Sequence, residues 1–236
     1  MLKEQAVERD RRQILRGILE HRSFDASKAL LHGCDQQTVT DRILAFRRGP
    51  IRYRHNAMIA CEGDYMYVVV SGVVRSCRTH RDGSRGIVAF HLPGELFGWS
   101  GEPVHSLSLE AATNTLVFFL KRSAFLAAAI RDGRIATYLL AATTNELRRV
   151  QDHSLLLSRL AECRVATFLI DLSMRLGTTS YLDLPMSHQD IADHLGFTIE
   201  TLSRTITTME KSGSIARSLG RALVLRNRVA LAQIAN

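Results

Sequence analysis

The sequence lacks the patterns that several classes of protein require. No C-x-x-C pair occurs among its four cysteines, so neither a disulfide framework nor a zinc site of ordinary ligand spacing is expected. It also has no G-x-S-x-G, P-loop, H-E-x-x-H or G-x-G-x-x-G motif, which leaves an enzymatic function without support. The first 22 residues are charged and periodic, and no later stretch approaches a transmembrane span. We therefore expect a cytoplasmic protein with no membrane partner.

The composition is that of a globular protein with an anionic partner. Hydrophobic residues make up 46% and charged residues 23% of the 236 positions, a length and balance typical of one or two domains, and we expect two. The net charge of +8 favours nucleic acid or a membrane surface, without choosing between them. From Ser158 onward there are nine basic and seven acidic residues. Most of the positive charge therefore lies in the preceding part of the chain.

Residues 187–213 read SHQDIADHLGFTIETLSRTITTMEKSG and predict two short helices joined by a turn. Ser187 with Asp190 is a helix start signal, and Gly196 allows a sharp turn before a second helix that begins near Thr198. Helical spacing places one set of residues inward and another outward; the inward set is Leu202, Ile206 and Met209, and the outward set is Glu200, Ser203, Arg204, Thr207 and Lys211. This is typical of a DNA-binding helix-turn-helix, although an ordinary helical hairpin with a solvated polar face would look similar.

The residues that follow Gly213 favour the DNA-binding interpretation. Two short apolar stretches around a Ser/Gly turn, within residues 214–225, predict a β-hairpin, which after a recognition helix would be a wing. Between residues 204 and 228 one residue is acidic and six are basic: Arg204, Lys211, Arg217, Arg221, Arg226 and Arg228. That local excess suits contacts with phosphates, the alternative being a solvated charged rim.

The N-terminal half predicts helices followed by a β domain. A leading helix is expected before residue 37, and a second helical piece near residues 29–31. The apolar side of the leading helix is Ile14, Leu15, Ile18 and Leu19. From about residue 41 to residue 121, short β-type runs are separated by glycines, which indicates a β-sandwich, jelly roll or barrel. The Asp-Gly pair within residues 81–84 predicts a tight hairpin turn.

Between residues 122 and 157 the hydrophobic period becomes helical, and Gly133 is expected to separate a short helix from a long one. On the long helix one set of residues recurs with alternating steps of four and three: Ala136, Leu140, Thr143, Leu147, Val150, Ser154 and Leu157. This heptad spacing predicts a parallel homodimer, although a helix packed on its own β domain would show a similar stripe. A further helix over residues 158–175 and a short strand over residues 181–184 should lead into the helix-turn-helix.

The order of these parts resembles the CRP/FNR superfamily of bacterial transcription regulators. The likeness is carried by YVVVSGVVR at residues 67–75, HLPGELFG at 91–98 and DIADHLGFTIETLSR at 190–204, and it is strongest for the FNR and FixK-like branches. It implies an α+β protein with a cyclic-nucleotide-binding-like β-roll, or jelly roll, a long dimerisation helix and a winged helix-turn-helix. The expected domains are residues 1–121, 122–157 and 158–236. The resemblance also implies a dimer that binds an inverted repeat in double-stranded DNA and contacts RNA polymerase.

Base recognition is expected from Glu200, Ser203 and Arg204. Glu200 can accept from a cytosine amino group, Arg204 can bind guanine O6 and N7, and Ser203 lies between them on the same helix face. The FNR and FixK-like members share this Glu-x-x-Ser-Arg run, so the resemblance implies TTGAT half-sites. Contacts to the DNA backbone are expected from Ser187, Thr198, Thr201, Thr207, Lys211, Arg217 and Arg221.

The β-roll departs from the pattern of cyclic-nucleotide-binding relatives. Those members carry Gly-Glu-Leu followed closely by Arg-Ser-Ala or Arg-Thr-Ala, in which Glu meets the ribose and Arg neutralises the phosphate. Here Glu95 is present, but residues 104–108 read VHSLS, and His105 lacks a permanent charge and a planar fork. We expect no control by cyclic AMP, a structural role for Glu95, and no cofactor.

Other sensory functions stay open at this point. An iron–sulfur cluster needs several closely spaced cysteines, usually near the N-terminus, and none precedes Cys34. The remaining cysteines are Cys61, Cys77 and Cys163. Haem could use Cys77 with His80, although two such residues on a hairpin are expected to be merely exposed; redox sensing would need neighbouring arginines to lower a thiol pKa. The alternative function is a ligand- or haem-sensing module that acts through protein contacts.

Overall fold

The computed structural model describes residues 47–59, 64–79, 85–98 and 107–235. The predicted leading helices, the Asp-Gly turn at residues 81–84 and the residues that replace the phosphate-binding arginine motif at 104–106 lie outside this range. Within the described range, none of the helices has the length and apolar character needed to cross a bilayer.

In the part of the chain that the structure describes, the β-roll contains two four-stranded antiparallel sheets. The first has the strand order β1-β8-β3-β6 and the second has the order β2-β7-β4-β5. The strands are β1 (Arg47–Tyr53), β2 (Met58–Ile59), β3 (Tyr65–Ser71), β4 (Val74–Thr79), β5 (Arg85–His91), β6 (Leu96–Phe97), β7 (Leu107–Ala111) and β8 (Thr115–Lys121). The predicted β architecture is confirmed for these strands.

Strand β3 is buried on both faces, which explains its nearly continuous apolar sequence. Tyr67 and Val69 point into the core between the two sheets, together with residues such as Phe97. The alternate residues Met66 and Val68 pack on the other side, against the helices that follow the β-roll. Because successive side chains of a strand point to opposite faces, one strand contributes to both cores.

The first strand differs from the sequence prediction. The sequence analysis indicated short β-type runs separated by glycines, whereas β1 continues through Gly49 and Pro50 to Tyr53. The register with β8 shifts between Arg48 and Ile51, at the Gly-Pro pair. Strand β1 is at the edge of its sheet, where a residue without an N–H donor is tolerated.

Two helices follow the β-roll: α1 (Arg122–Arg131) and α2 (Gly133–Leu156). The predicted break is confirmed, and Asp132 is its centre, because its side chain accepts a hydrogen bond from the amide of Arg134 at 3.0 Å and caps α2. Ile135 and Tyr138 of α2 pack on the β-roll with Phe125 of α1.

The C-terminal part contains α3 (Ala161–Arg175), β9 (Tyr181–Asp183), α4 (His188–Leu195), α5 (Ile199–Lys211), β10 (Ile215–Arg217), β11 (Ala222–Leu225) and α6 (Arg228–Ala235). The third helix begins at Ala161 and not at Ser158 as predicted, because Leu160 has extended backbone angles that interrupt the helical path. Helix α6 was not predicted; it packs through the buried Leu231. Strands β10, β11 and β9 form a three-stranded sheet in that order, which confirms the predicted hairpin and short strand.

Candidate nucleic-acid interface

Local capping interactions define the first helix of the helix-turn-helix. The Ser187 hydroxyl accepts from the Asp190 amide at 3.0 Å, and the Asp190 carboxylate accepts from the Ser187 amide at 3.2 Å. This reciprocal capping box fixes the start of α4, as predicted. The helix ends at Gly196, whose φ of +67° belongs to the left-handed region that glycine adopts without strain.

The second helix presents one apolar and one polar face. Thr198 caps α5 by accepting from the Thr201 amide at 3.3 Å, which confirms the predicted start. The buried residues of α5 are Leu202, Thr205, Ile206 and Met209; Thr205 is the one that the apolar pattern missed, and its hydroxyl donates to a carbonyl one turn earlier. The amphipathic pattern therefore predicted the orientation of the helix correctly.

The three residues expected to read bases share the exposed face at the start of α5. Glu200, Ser203 and Arg204 are all exposed. Hydrogen bonding from its own backbone amide and from Thr198, and the nearby charge of Arg204, hold the pKa of Glu200 below its ordinary value. Glu200 is thus an anionic acceptor, and Arg204 one turn on is a cationic donor; such groups are able to pair with cytosine and guanine edges respectively.

The wing is attached to the recognition helix by Arg217. Its amide donates to the Glu210 carboxylate at 3.1 Å, and its guanidinium donates to the Thr207 hydroxyl at 3.0 Å. Two residues expected to contact the DNA backbone, Thr207 and Arg217, are therefore bonded to each other. At the turn of the hairpin Arg221 is exposed, next to Gly220 with its φ of +69°.

The other residues expected to contact the DNA backbone differ in solvent exposure. Thr198 and Lys211 are exposed, while Ser187 and Thr201 are half-buried. His188, which the sequence analysis did not single out, is exposed on the first turn of α4. Burial and then the charges of Arg217 and Arg221 lower the pKa of His188, which indicates that the wing arginines lie near the start of the helix-turn-helix.

The heptad residues of α2 form a stripe that the protein's own β-roll leaves uncovered. Leu140, Leu147 and Val150 have exposed fractions of 66%, 57% and 52%. Thr143, Ser154 and Leu157 are also exposed, whereas Ala136 packs partly on the β-roll. The Thr143 hydroxyl donates to the Leu139 carbonyl at 2.8 Å, so its polar group is satisfied within the helix.

Glu95 is enclosed by arginines from two helices. One carboxylate oxygen accepts from Arg175 of α3 at 2.8 Å and from the Leu92 amide at 2.9 Å. The other oxygen lies 3.1 Å from Arg149 of α2 and 3.0 Å from the Arg175 Nε. Although burial opposes ionisation, the charges of Arg175 and Arg149 hold the pKa of Glu95 well below its ordinary value. The residue therefore connects the β-roll with both helices.

Histidines fill the junction between the β-roll and the winged helix. The His194 ring stacks on His153 with 4.3 Å between centroids, and its Nδ1 lies 3.0 Å from the Ile87 carbonyl oxygen. Phe90 and Phe168 border the same ring at 5.1 and 5.6 Å. These contacts join α4 to β5 and to the last turn of α2.

Cys77 is buried, with 1% of its surface exposed, which corrects the expectation that it is exposed on a hairpin. Burial raises the pKa of the Cys77 thiol despite a hydrogen bond from Arg85 at 2.9 Å. The neighbouring arginines therefore do not produce a reactive thiolate there. Among the residues that the structure describes, no cluster of three His, Cys, Asp or Glu side chains could hold a metal ion.

Comparison with known families agrees with this architecture. A model described as a Crp-like helix-turn-helix domain matches residues 163–234, and a model described as a cyclic nucleotide-binding domain matches residues 50–132. The chain belongs to the CRP/FNR family of DNA-binding transcription regulators, whose members are not enzymes.

Within that family the chain is similar to FixK proteins. The nitrogen fixation regulation protein FixK of Azorhizobium caulinodans is 46% identical over 175 residues, which cover 72% of this chain and 71% of the relative. FixK of Rhizobium meliloti is 39% identical over 191 residues, covering 78% and 86% respectively. The solved structure of FixK2 from Bradyrhizobium japonicum has a TM-score of 0.73 and 43% identity, covering 80% of this chain and 97% of that one. The resemblance to FixK-like regulators is thus confirmed.

Proposed function

We propose that the protein is a cytoplasmic, homodimeric transcription activator that binds an inverted repeat of TTGAT half-sites and contacts RNA polymerase. The observation that carries this proposal is the shared exposed face of Glu200, Ser203 and Arg204 at the start of α5. The activator role is supported by similarity to relatives named as transcriptional activator proteins, Anr and FnrL, and the polymerase contact is what the family resemblance implies.

The TTGAT half-site is implied by the Glu-x-x-Ser-Arg run that this chain shares with FNR and FixK-like regulators, and the chemistry of that face is compatible with it. Arg204 supplies two donors to guanine, and the ionised Glu200 accepts from a cytosine amino group. Ile199, which precedes them, is 40% exposed but has no polar side-chain atom. It cannot make the additional guanine contact of relatives with Arg at this place, which favours TTGAT over TGTGA.

The dimer is supported by the exposed heptad stripe of α2. Apolar side chains as exposed as Leu140 and Leu147 gain free energy when a second copy covers them. A parallel pair of α2 helices would place two recognition helices about 34 Å apart, one turn of DNA.

The β-roll is proposed to act without cyclic AMP. The carboxylate that meets the ribose in nucleotide-binding relatives is engaged here by Arg149 and Arg175. A ligand- or haem-sensing module that acts through protein contacts is the alternative function, and it would leave the exposed DNA-reading face without use.

A binding selection on random duplex DNA tests the proposal. The wild-type protein should return a palindrome with TTGAT arms. Arg204→Ala should lose about 1–3 kcal/mol of DNA-binding free energy and relax selection at the guanine. Arg221→Ala is the matched control, because removing a wing arginine should weaken all sequences alike and reduce the salt dependence. TGTGA arms, or an unchanged base preference in Glu200→Ala and Arg204→Ala, would contradict the half-site. Absence of any selected DNA would contradict the function itself.

A further inference from the structure

An arginine of the β-roll lies buried against the helix-turn-helix. Arg75 on β4 is 6% exposed. Its Nε and Nη2 donate to the Glu110 carboxylate at 3.2 and 2.9 Å, and Nη2 also donates to the Asn56 side-chain oxygen at 2.8 Å. Three hydrogen bonds to β-roll residues hold the guanidinium in place. Its remaining nitrogen, Nη1, points toward α4.

Nη1 of Arg75 donates to the Asp190 carboxylate. Asp190 is 5% exposed and is also the capping-box residue of α4, where its other oxygen accepts from the Ser187 hydroxyl at 2.8 Å. One carboxylate therefore closes the first turn of the helix-turn-helix and joins it to the β-roll. Both charges are buried, and separating the two domains would take the arginine away from Asp190, while Arg75 would keep Glu110.

A second contact fixes the other end of the same helix. His194, four residues after Asp190, bonds to the Ile87 carbonyl at 3.0 Å. Residues four apart lie on one face of a helix, so α4 is attached to β4 and β5 at two points along that face. Two attachment points restrict both tilt and rotation of α4, and a single capped turn at Gly196 connects α4 to the recognition helix.

The attached arrangement leaves the reading face free. Glu200, Ser203 and Arg204 are exposed while Arg75 and Asp190 are paired. Binding two half-sites at once costs less free energy when the two recognition helices already have a fixed orientation, because less conformational freedom is lost on binding.

We propose that Arg75 is a positioning residue for DNA binding: by holding Asp190, it orients the recognition helix so that a dimer engages both half-sites together. This inference rests on the proposed dimeric DNA binding but not on the sequence of the half-site. Arg75 touches no DNA in this role, so its effect should be independent of base sequence.

The test compares two DNA duplexes, the palindrome returned by the binding selection and the same duplex with one arm scrambled. Arg75→Ala and Asp190→Asn should each weaken binding to the palindrome about tenfold and leave binding to the single arm unchanged. Asp190→Asn keeps a side-chain oxygen for the capping box, so it decides the matter if Arg75→Ala does not fold. Because the two variants break the same contact, the double variant should also lose about tenfold, and not a hundredfold, in affinity for the palindrome.

Arg78→Ala is the matched control, since Arg78 is an exposed arginine on the same strand, and it should bind both duplexes like the wild type. Light scattering and circular dichroism establish that each variant is a folded dimer.

Equal losses of affinity on the two duplexes, or no loss on either, would overturn the proposal. Tighter binding by Arg75→Ala would also overturn it, because the contact would then restrain the winged helix from DNA. If the wild type selects no DNA, the proposed function fails. If the wild type binds DNA but the variants lose affinity equally on both duplexes, or on neither, the positioning role alone fails.

Discussion

Acidification should weaken the attachment of the winged helix through His194. Burial, and then the charge of His153 stacked against it, lower the pKa of His194 from 6.5 to about 3. Although part of the residue is exposed, its ring is enclosed by Phe90, Phe168 and His153. The folded protein therefore holds His194 neutral at a pH where the unfolded chain would protonate it.

The size of the effect follows from proton linkage. Since the folded-state pKa is depressed, the stabilisation is fully present above pH 6.5 and is lost as the pH falls from 6.5 toward 3. At pH 5 the pH lies about 1.5 units below the pKa of the unfolded chain, so the unfolded state binds a proton that the folded state does not. At 1.36 kcal/mol per unit, the free energy of unfolding should fall by about 2 kcal/mol between pH 7.5 and pH 5. Burial likewise lowers the pKa of His91, to about 4, so the wild type loses stability at both sites.

Replacement by glutamine isolates His194, because the side-chain amide can donate to the Ile87 carbonyl without titrating. Urea unfolding at the two pH values should show that His194→Gln loses about 2 kcal/mol less free energy of unfolding than the wild type. His55→Gln, at an exposed histidine, is the control and should behave like the wild type. A loss in His194→Gln equal to the wild-type loss, or an NMR titration of the His194 ring near pH 6.5, would refute the reasoning.

Two further predictions concern assembly and ligand control. Leu147→Glu places a charge in the exposed stripe of α2 and should yield monomers by light scattering, whereas the neighbouring exposed Arg148→Glu should stay dimeric; an unchanged mass for Leu147→Glu would count against the stripe. Calorimetry should detect no micromolar binding of cyclic AMP, because the nucleotide phosphate would lack an arginine and Glu95 is engaged by Arg149 and Arg175. Micromolar binding that tightens DNA affinity would contradict this prediction.

Local signals were sufficient to predict the elements of the DNA-binding part. The Ser187–Asp190 pair, Gly196 and the spacing of the apolar residues on α5 act within a few positions of each other, so their consequences could be inferred from the sequence. The same holds for the short, glycine-separated runs of the β-roll and for the helical break next to Gly133. Helix α6 was missed because it is short and only Leu231 is buried on it.

Contacts between distant parts of the chain could not be predicted in this way. Arg75 and Asp190 are 115 positions apart, and Glu95 and Arg175 are 80 apart. Such pairs exist only because the tertiary fold brings Arg75 of β4 to the start of α4, and Glu95, which precedes β6, to the end of α3. A signal was available for one of them: Arg75 directly follows the largely apolar run of residues 67–74, and a buried charge requires a partner. The sequence alone did not identify which partner.

The double use of Asp190 has a consequence for recombining regulators. Exchanging DNA-reading modules between relatives is usually planned as a cut in the linker, on the assumption that each half is self-contained. Here such a cut would transfer an aspartate whose counter-charge stays behind with Glu110 and Asn56 on the other half. A chimera that takes its DNA-reading module from this protein should therefore also take Arg75, Glu110 and Asn56 of the β-roll. A chimera that keeps this β-roll can instead receive a module whose first helix has a neutral capping residue in place of Asp190.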